Sequence, residues 1–443
     1  MIDLSRISCK SDLFDQTGVV FEYDGRIMRA LLPRGTWIFG LLAENGLVER
    51  LSPIGLPEMR PLDQRLEGFA GLIECERFSP IVPPHMWTNR MLLEAGLTVC
   101  NLSRESLTNN LLLWDLKCMT NMTYSATRGP VFLDLGGFYT IEEVESHILH
   151  TSHESLVGQI ASSFYAPLWL VYGPMKNAAY VRRLANLYRN ESTKTGIAVP
   201  ILRRLTGNWR LLPGMRNGLR LLKAKKYSHF YDSIINRLLT WARMDDAGDG
   251  ASAFTSAEAV GGQMGPILQL LKNWTKDVPR PVFFDLFPAS GYGMAIAEKD
   301  LGDVYGLTPS EQLADRLFAW RKQTAKPLLP VLCNVWDKSY SSSACLWESC
   351  DVVFALPNIL ELARAVPVPL DFIGQMLAKL TRKVAVVGIS GTSSTDSFPG
   401  FVAPSNGTKS SRDFVVEAVG KYFKSCEQID LGPSSRSIAI FRK

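Results

Sequence analysis

The chain is poor in the residues that small extracellular proteins depend on. Its 443 residues contain eight cysteines, scattered and without a C-x-x-C pair, which excludes a disulfide scaffold and the common zinc layouts. Histidines number five, and no apolar run free of charge reaches the roughly 18 residues that a spanning helix needs. Residues 1–15 carry Asp3 and Asp12 and lack the apolar segment of a secretory signal. These absences lead to the expectation of a cytoplasmic, reducing-compartment protein with no transmembrane segment. A net charge of +5 is too small to indicate a nucleic-acid partner. Core-forming residues are abundant: 46% hydrophobic against 21% charged excludes global disorder and suffices for about two to three domains.

The basic residues are concentrated. Residues 173–226 hold thirteen Lys or Arg and a single acid, Glu191. Pairs such as Arg182-Arg183 and Arg203-Arg204 interleave with Leu, Ile and Val, the pattern of amphipathic helices with a basic face. That face reads as solvated surface or packing against an acidic patch, or else as a dock for an anionic partner or a membrane surface. Residues 245–265, rich in Gly, Ala and Ser, read as a linker, followed by a short helix over 267–274 that Pro279 and Pro281 terminate. The boundary between an N-terminal mixed α+β region, 1–275, and a C-terminal domain, 276–443, is placed here.

Within 1–275 the clearest local signal is a hairpin over 19–29, with Asp24-Gly25 at its turn, and a short buried strand is expected at 130–134. Beyond 275 strand and helix patterns alternate. Strands are expected at 281–286, 303–307, 328–333, 351–356, 383–389, 426–431 and 436–442, with helices near 291–299, 309–323, 357–363, 370–380 and 411–424. Such alternation builds a parallel sheet covered on both faces. The last two strands flank Pro433-Ser434-Ser435 as an antiparallel hairpin. Five βα units closed by such a hairpin give an α/β, Rossmann-like class I methyltransferase domain of seven strands, the last antiparallel.

The turn after the first of these strands runs Asp285-Leu286-Phe287-Pro288-Ala289-Ser290-Gly291, where such folds hold S-adenosylmethionine against close-approaching backbone and a helix N-terminus. Asp285 and Gly291 suit that role. Phe287 and Ala289 stand where glycines are usual, and Phe287 takes a positive φ only at a cost, so the turn must be reshaped. The acid that takes the ribose hydroxyls falls on Thr308, with Glu311 one helical turn further on. Asn334, after the third strand, is placed either to hold the adenine amino group or to cap a turn. Asp351 opens the fourth strand, and the loop beyond that strand runs to Glu361, the weak candidate for a base that would activate an acceptor.

Two further constellations each have a plainer explanation. Asp115, Asn121 and Asp134-Leu135-Gly136 are similar to a phosphotransferase catalytic loop with its metal-binding Asp. The Asp-to-Asn spacing is one residue too long, and no Gly-rich loop with a partner Lys precedes it. Turn capping beside a strand accounts for the same residues. His147, His150 and His153 recur at three-residue steps that drift around a helix, which suits a solvated face better than a metal site.

Taken together, several segments resemble bacterial proteins of the NoeA type, rhizobial host-specific nodulation proteins built on an S-adenosylmethionine-dependent methyltransferase domain. Gly18-Val19-Val20-Phe21 with Asp24-Gly25-Arg26-Ile27 looks like that family's opening hairpin. Asp115, Asn121 and Pro130-Val131-Phe132-Leu133-Asp134 look like its KDAxxYN…PVFID segment, and Phe164-Tyr165-Ala166-Pro167-Leu168 like its FLxPL element. The stretch from Asp285 to Gly291 corresponds to DLGCNTG, and Asp351 to Leu362 with Val368-Pro369-Leu370 to DLVLALALIHHL…VPL. The chain departs where Phe287 replaces the loop glycine, Thr308 the ribose acid and Leu360-Glu361 the His-His pair. The resemblance implies a methyltransferase that uses S-adenosylmethionine on a nodulation-related small molecule or glycan. The departures raise a second reading, a non-catalytic binding or regulatory protein on the same fold.

Overall fold

A computed structural model describes residues 7–10, 15–113, 121–144, 261–333, 349–356, 369–390, 411–430 and 436–443, with isolated positions between them. The basic stretch 173–226, the histidines at 147, 150 and 153, and the helix expected at 357–363 lie outside the described residues or touch them only at single positions.

The N-terminal part begins with strands β1 (Ile7–Lys10), β2 (Gly18–Tyr23) and β3 (Arg26–Leu31). Asp24 and Gly25 turn the expected hairpin with φ of 52° and 73°, the left-handed pair that a two-residue loop between twisted strands requires. Helices α1 (Pro33–Ala43) and α2 (Leu47–Leu51) then lead into β4 (Met59–Pro61) and β5 (Gly71–Cys75). All five strands pair antiparallel in the order β1-β2-β3-β5-β4. Helix α3 (Asn89–Ser106) is capped by Thr88, whose hydroxyl accepts from the Met91 N–H at 3.3 Å. After it, β6 (Leu111–Leu113) pairs with β9 (Phe138–Thr140), and β7 (Met122–Ser125) pairs with β8 (Gly129–Phe132). The strand expected at 130–134 is β8.

Helix α4 (Gly261–Thr275) is longer than the short helix expected, and its first turn reaches into the stretch read as linker. Ile267 and Leu271, one turn apart, are both buried, and that packing extends the helix through glycines that composition alone assigns to a loop.

The C-terminal part is a seven-stranded sheet of β10 (Val282–Asp285), β11 (Asp303–Thr308), β12 (Leu328–Leu332), β13 (Cys350–Ala355), β14 (Thr381–Ser390), β15 (Ser425–Asp430) and β16 (Arg436–Arg442). Its order is β12-β11-β10-β13-β14-β16-β15. The first five strands run parallel, and β16 lies antiparallel between β14 and β15. Helices α5 (Tyr292–Glu298), α6 (Glu311–Thr324), α7 (Leu370–Leu380) and α8 (Ser411–Gly420) complete it. Such an arrangement fits an α/β methyltransferase fold. The near-continuous apolar runs of β10 and β13 suit strands covered on both faces. Side chains alternate across the sheet: Phe283, Val304, Val352 and Val386 pack on the α4–α5 face, while Phe284, Tyr305, Val353 and Val387 face the other way.

That second face carries the N-terminal part. One buried cluster runs from Met86, Trp87 and Tyr124 to Phe318, Leu329 and Val331. At its rim Arg321 of α6, 8% exposed, donates from Nε to the Ala126 carbonyl at 3.1 Å and from its terminal nitrogen to the Ser125 carbonyl at 3.4 Å. Its guanidinium lies 5.5 Å from the Tyr124 ring centre.

Candidate functional site

Parallel strands leave the carboxyl ends of β10 and β11 beside the point where sheet order reverses, between β10 and β13, the place where open α/β sheets form a ligand crevice. Asp285 closes β10 there and is 1% exposed. Its carboxylate accepts from the Phe287 N–H at 2.9 Å and the Gly293 N–H at 3.0 Å, bracing the turn from within. Burial pushes the Asp285 carboxyl up to about 6, against the opposite pull of those two N–H groups. The turn is reshaped as Phe287 demands. Its φ is −132°, residues Pro288–Ser290 form a single 3-10 turn, and the left-handed φ of 83° falls on Gly291, which begins α5. Gly293 is a further position on which the shape of the turn depends. A Cβ there would sit 2.6 Å from the Asp285 carboxylate, so only glycine brings this N–H onto it. Its signal was present in the sequence as the second glycine of Gly291-Tyr292-Gly293.

Thr308 ends β11, next to β10, and is 4% exposed. Its hydroxyl oxygen accepts from the Ser310 N–H at 3.1 Å, and Ser310 in turn caps α6 through Leu313 N–H at 3.3 Å. Glu311, the possible substitute for a ribose acid, accepts instead from Asn89 Nδ2 of α3 at 3.0 Å. Asn334 and Glu361 lie outside the described residues.

Asp351 needs correcting. The structure places it at the amino end of β13, level with Val282, so it stands at the opposite end of the sheet from Asp285. Its carboxylate accepts from the Val282 N–H at 2.9 Å and pairs with Arg382 at 3.3 Å. Asp351 therefore ties β10 to the start of β13 and does not reach the crevice. A residue that opens a parallel strand faces away from the ligand end, which the sequence register already implied. Asp285, Gly291 and Thr308 are the expected residues that the fold brings to one end of the sheet.

Two atoms here suit S-adenosylmethionine. Ser290 Oγ, in the turn, is buried with no hydrogen-bond partner among the described residues. Thr308 Oγ1 accepts one bond and keeps its own hydrogen to donate. These hydroxyls fit a ligand that carries a ribose, and the buried Asp285 carboxylate braces the turn beneath them. Ser290, Gly291 and Thr308 are the residues there that could hold such a cofactor, on a turn braced by Asp285.

No protein-family model matches the chain, and no curated protein matches it in sequence. Among solved structures, the bifunctional kinase-methyltransferase WbdD aligns at 12% identity and a TM-score of 0.30, over 40% of this chain and 39% of that one. The [4+2]-cyclase SpnF aligns at 9% identity and 0.30, over 40% of this chain and 80% of that one. The 16S rRNA methylase ArmA aligns at 11% identity and 0.28, over 41% and 84%. The chain thus spans about two fifths of the length of WbdD.

Proposed function

We propose that residues 276–443 form a domain that binds S-adenosylmethionine at the carboxyl ends of β10 and β11. The region 1–275 supplies the side facing a small-molecule or glycan acceptor. When bound, the cofactor would supply a methyl group on a positively charged sulfur for transfer to an acceptor oxygen or nitrogen. The chain's own part is positioning and electrostatics. Asp285 holds the turn; Thr308 and Ser290 offer single hydroxyl bonds. The observation that supports this most is the strand order with antiparallel β16, together with the turn braced at Asp285. A cytoplasmic setting and an anionic partner at 173–226 belong to the same reading. Among the described residues no helix is long and apolar enough to cross a membrane. The nodulation role rests on the NoeA-type resemblance alone.

Thr308 in place of an acid removes charge-assisted ribose bonds worth ~1.5–3 kcal/mol each. Affinity is then weaker by ~10- to 100-fold than in a pocket with the acid. Calorimetry tests this. Thr308→Asp keeps an acceptor for the Ser310 N–H and tightens binding by ~10-fold or more. Gly291→Val forces a β-branched residue into left-handed φ and abolishes binding. The same Thr308 and Phe287 departures favour the second reading, a non-catalytic protein on this fold. Absence of binding at millimolar cofactor, or indifference to both substitutions, would leave only that reading.

A further inference from the structure

A cluster that the methyltransferase reading leaves unused lies where the first sheet meets the β7–β8 hairpin. Arg29, on β3, is 3% exposed. Its terminal nitrogen donates to Thr17 Oγ1 at 2.8 Å, pairs with the Asp15 carboxylate and lies 3.6 Å from Asp134 Oδ1. Asp134 is also held by Asn121 Nδ2 at 2.8 Å and by the Gly136 N–H at 2.8 Å. Asp15 Oδ1 takes the Thr17 N–H and hydroxyl at 2.7 and 2.6 Å. An ideal Cβ on Gly136 would stand 3.0 Å from both Asp134 Oδ1 and Asp15 Oδ1, so the two carboxylates converge on one point. The Nε of Arg29 is buried with no hydrogen-bond partner among the described residues.

In protein kinases a cation on the third strand takes nucleotide phosphates. The Asn that closes the catalytic loop and the Asp of an Asp-x-Gly turn hold Mg²⁺. Residues of the same three chemical kinds stand here in the same chain order. Arg29 sits on the third strand, Asn121 immediately precedes β7, and Asp134-Leu135-Gly136 follows β8. We propose that this cluster is a second ligand site, independent of the methyltransferase reading, for a Mg²⁺-bound di- or triphosphate. Arg29 engages phosphate oxygens, for which the planar guanidinium fork is suited. Asp134 and Asn121 hold the cation. Mg²⁺ keeps waters and phosphate oxygens in most of its coordination positions, so one carboxylate and one amide suffice. The Asp15 carboxylate holds Arg29 where a phosphate would, and the ligand must displace it.

Calorimetry on the full chain with Mg-ATP, Mg-GTP, Mg-tripolyphosphate and inorganic phosphate tests the site. Binding of the nucleotides alone identifies a nucleotide site; binding of tripolyphosphate as well identifies a polyphosphate site. Either is expected to vanish with EDTA. Asp15→Asn removes the internal competitor and should tighten binding ~10-fold or more, whereas Arg29→Met should weaken it by at least ~10-fold. Asp134→Asn should remove the Mg²⁺ dependence. Urea unfolding midpoints identify any variant that fails to fold, and Asp15→Asn and Asp134→Asn carry the test if Arg29→Met does. The proposal is overturned if wild type and Asp15→Asn both ignore millimolar Mg-ATP and Mg-tripolyphosphate, or if binding persists without Mg²⁺ in the wild type.

Discussion

Asp285 shows how one side chain can serve the turn and burden the fold together. Its two N–H bonds set the geometry of the turn, yet burial lifts its carboxyl from 3.8 to about 6. The folded protein therefore holds that proton more tightly than the unfolded chain. The resulting stabilisation is complete below about pH 4 and is lost as pH rises through about 6. A rise from 3.8 to about 6 corresponds to ~3 kcal/mol. Urea unfolding of wild type and Asp285→Asn, compared between pH 4 and pH 7, should show the wild type losing ~2–3 kcal/mol relative to the variant. A difference that stays flat across that range would contradict the shift. The need for Asp285 was legible, because an acid ending a buried strand before a glycine turn is a local pattern. The need for Gly293 was not weighed, because it arises from contact with a carboxylate eight residues earlier. The ionic role of Arg29 is hidden in the sequence for a related reason. The hairpin pattern accounts for its strand, and only the charge within Arg26-Ile27-Met28-Arg29-Ala30-Leu31 hinted that an ionic partner waited across the fold.

Among the elements, α6 joins the two parts of the chain. Its N-terminus follows Thr308 at the crevice, and its C-terminal turn presents Arg321 to the β7–β8 turn. Arg321→Ala would strip the buried Ser125 and Ala126 carbonyls of their donor and cost ~2–4 kcal/mol in urea unfolding. Lys322→Ala, removing a half-exposed pair with Glu94 at 2.6 Å, should cost under ~1 kcal/mol. Equal losses for the two would show that burial does not separate them. The parallel strands were readable to within two residues or so, because runs buried on both faces are long and apolar. Helix α4 was read short because glycine composition outweighed the burial of Ile267 and Leu271, which only the assembled sheet provides.

The whole molecule shares a core across the proposed boundary near residue 275. Phe318, Leu329 and Val331 lie in the same cluster as Met86, Trp87 and Tyr124. A fragment of residues 276–443 exposes that face, so it should bind a hydrophobic dye and unfold at lower denaturant than the full chain. An equal midpoint would mean that the two parts fold independently. Hydrophobic periodicity located the strands of this sheet but held no sign of the shared face. A residue such as Tyr305 looks the same in sequence whether helices or another part of the chain cover it.

Strand β16 enters the sheet between β14 and β15, pairing from Val384 with Arg442 through to Ser390 with Arg436. During synthesis, β14 leaves the ribosome before residues 436–442 do. Until they emerge, the backbone of β14 on that side has no partner, and β15 has no place in the sheet at all. The nascent chain thus carries an open strand edge until residues 436–442 emerge, the interval in which a chaperone or a neighbouring nascent chain has its best opportunity to bind.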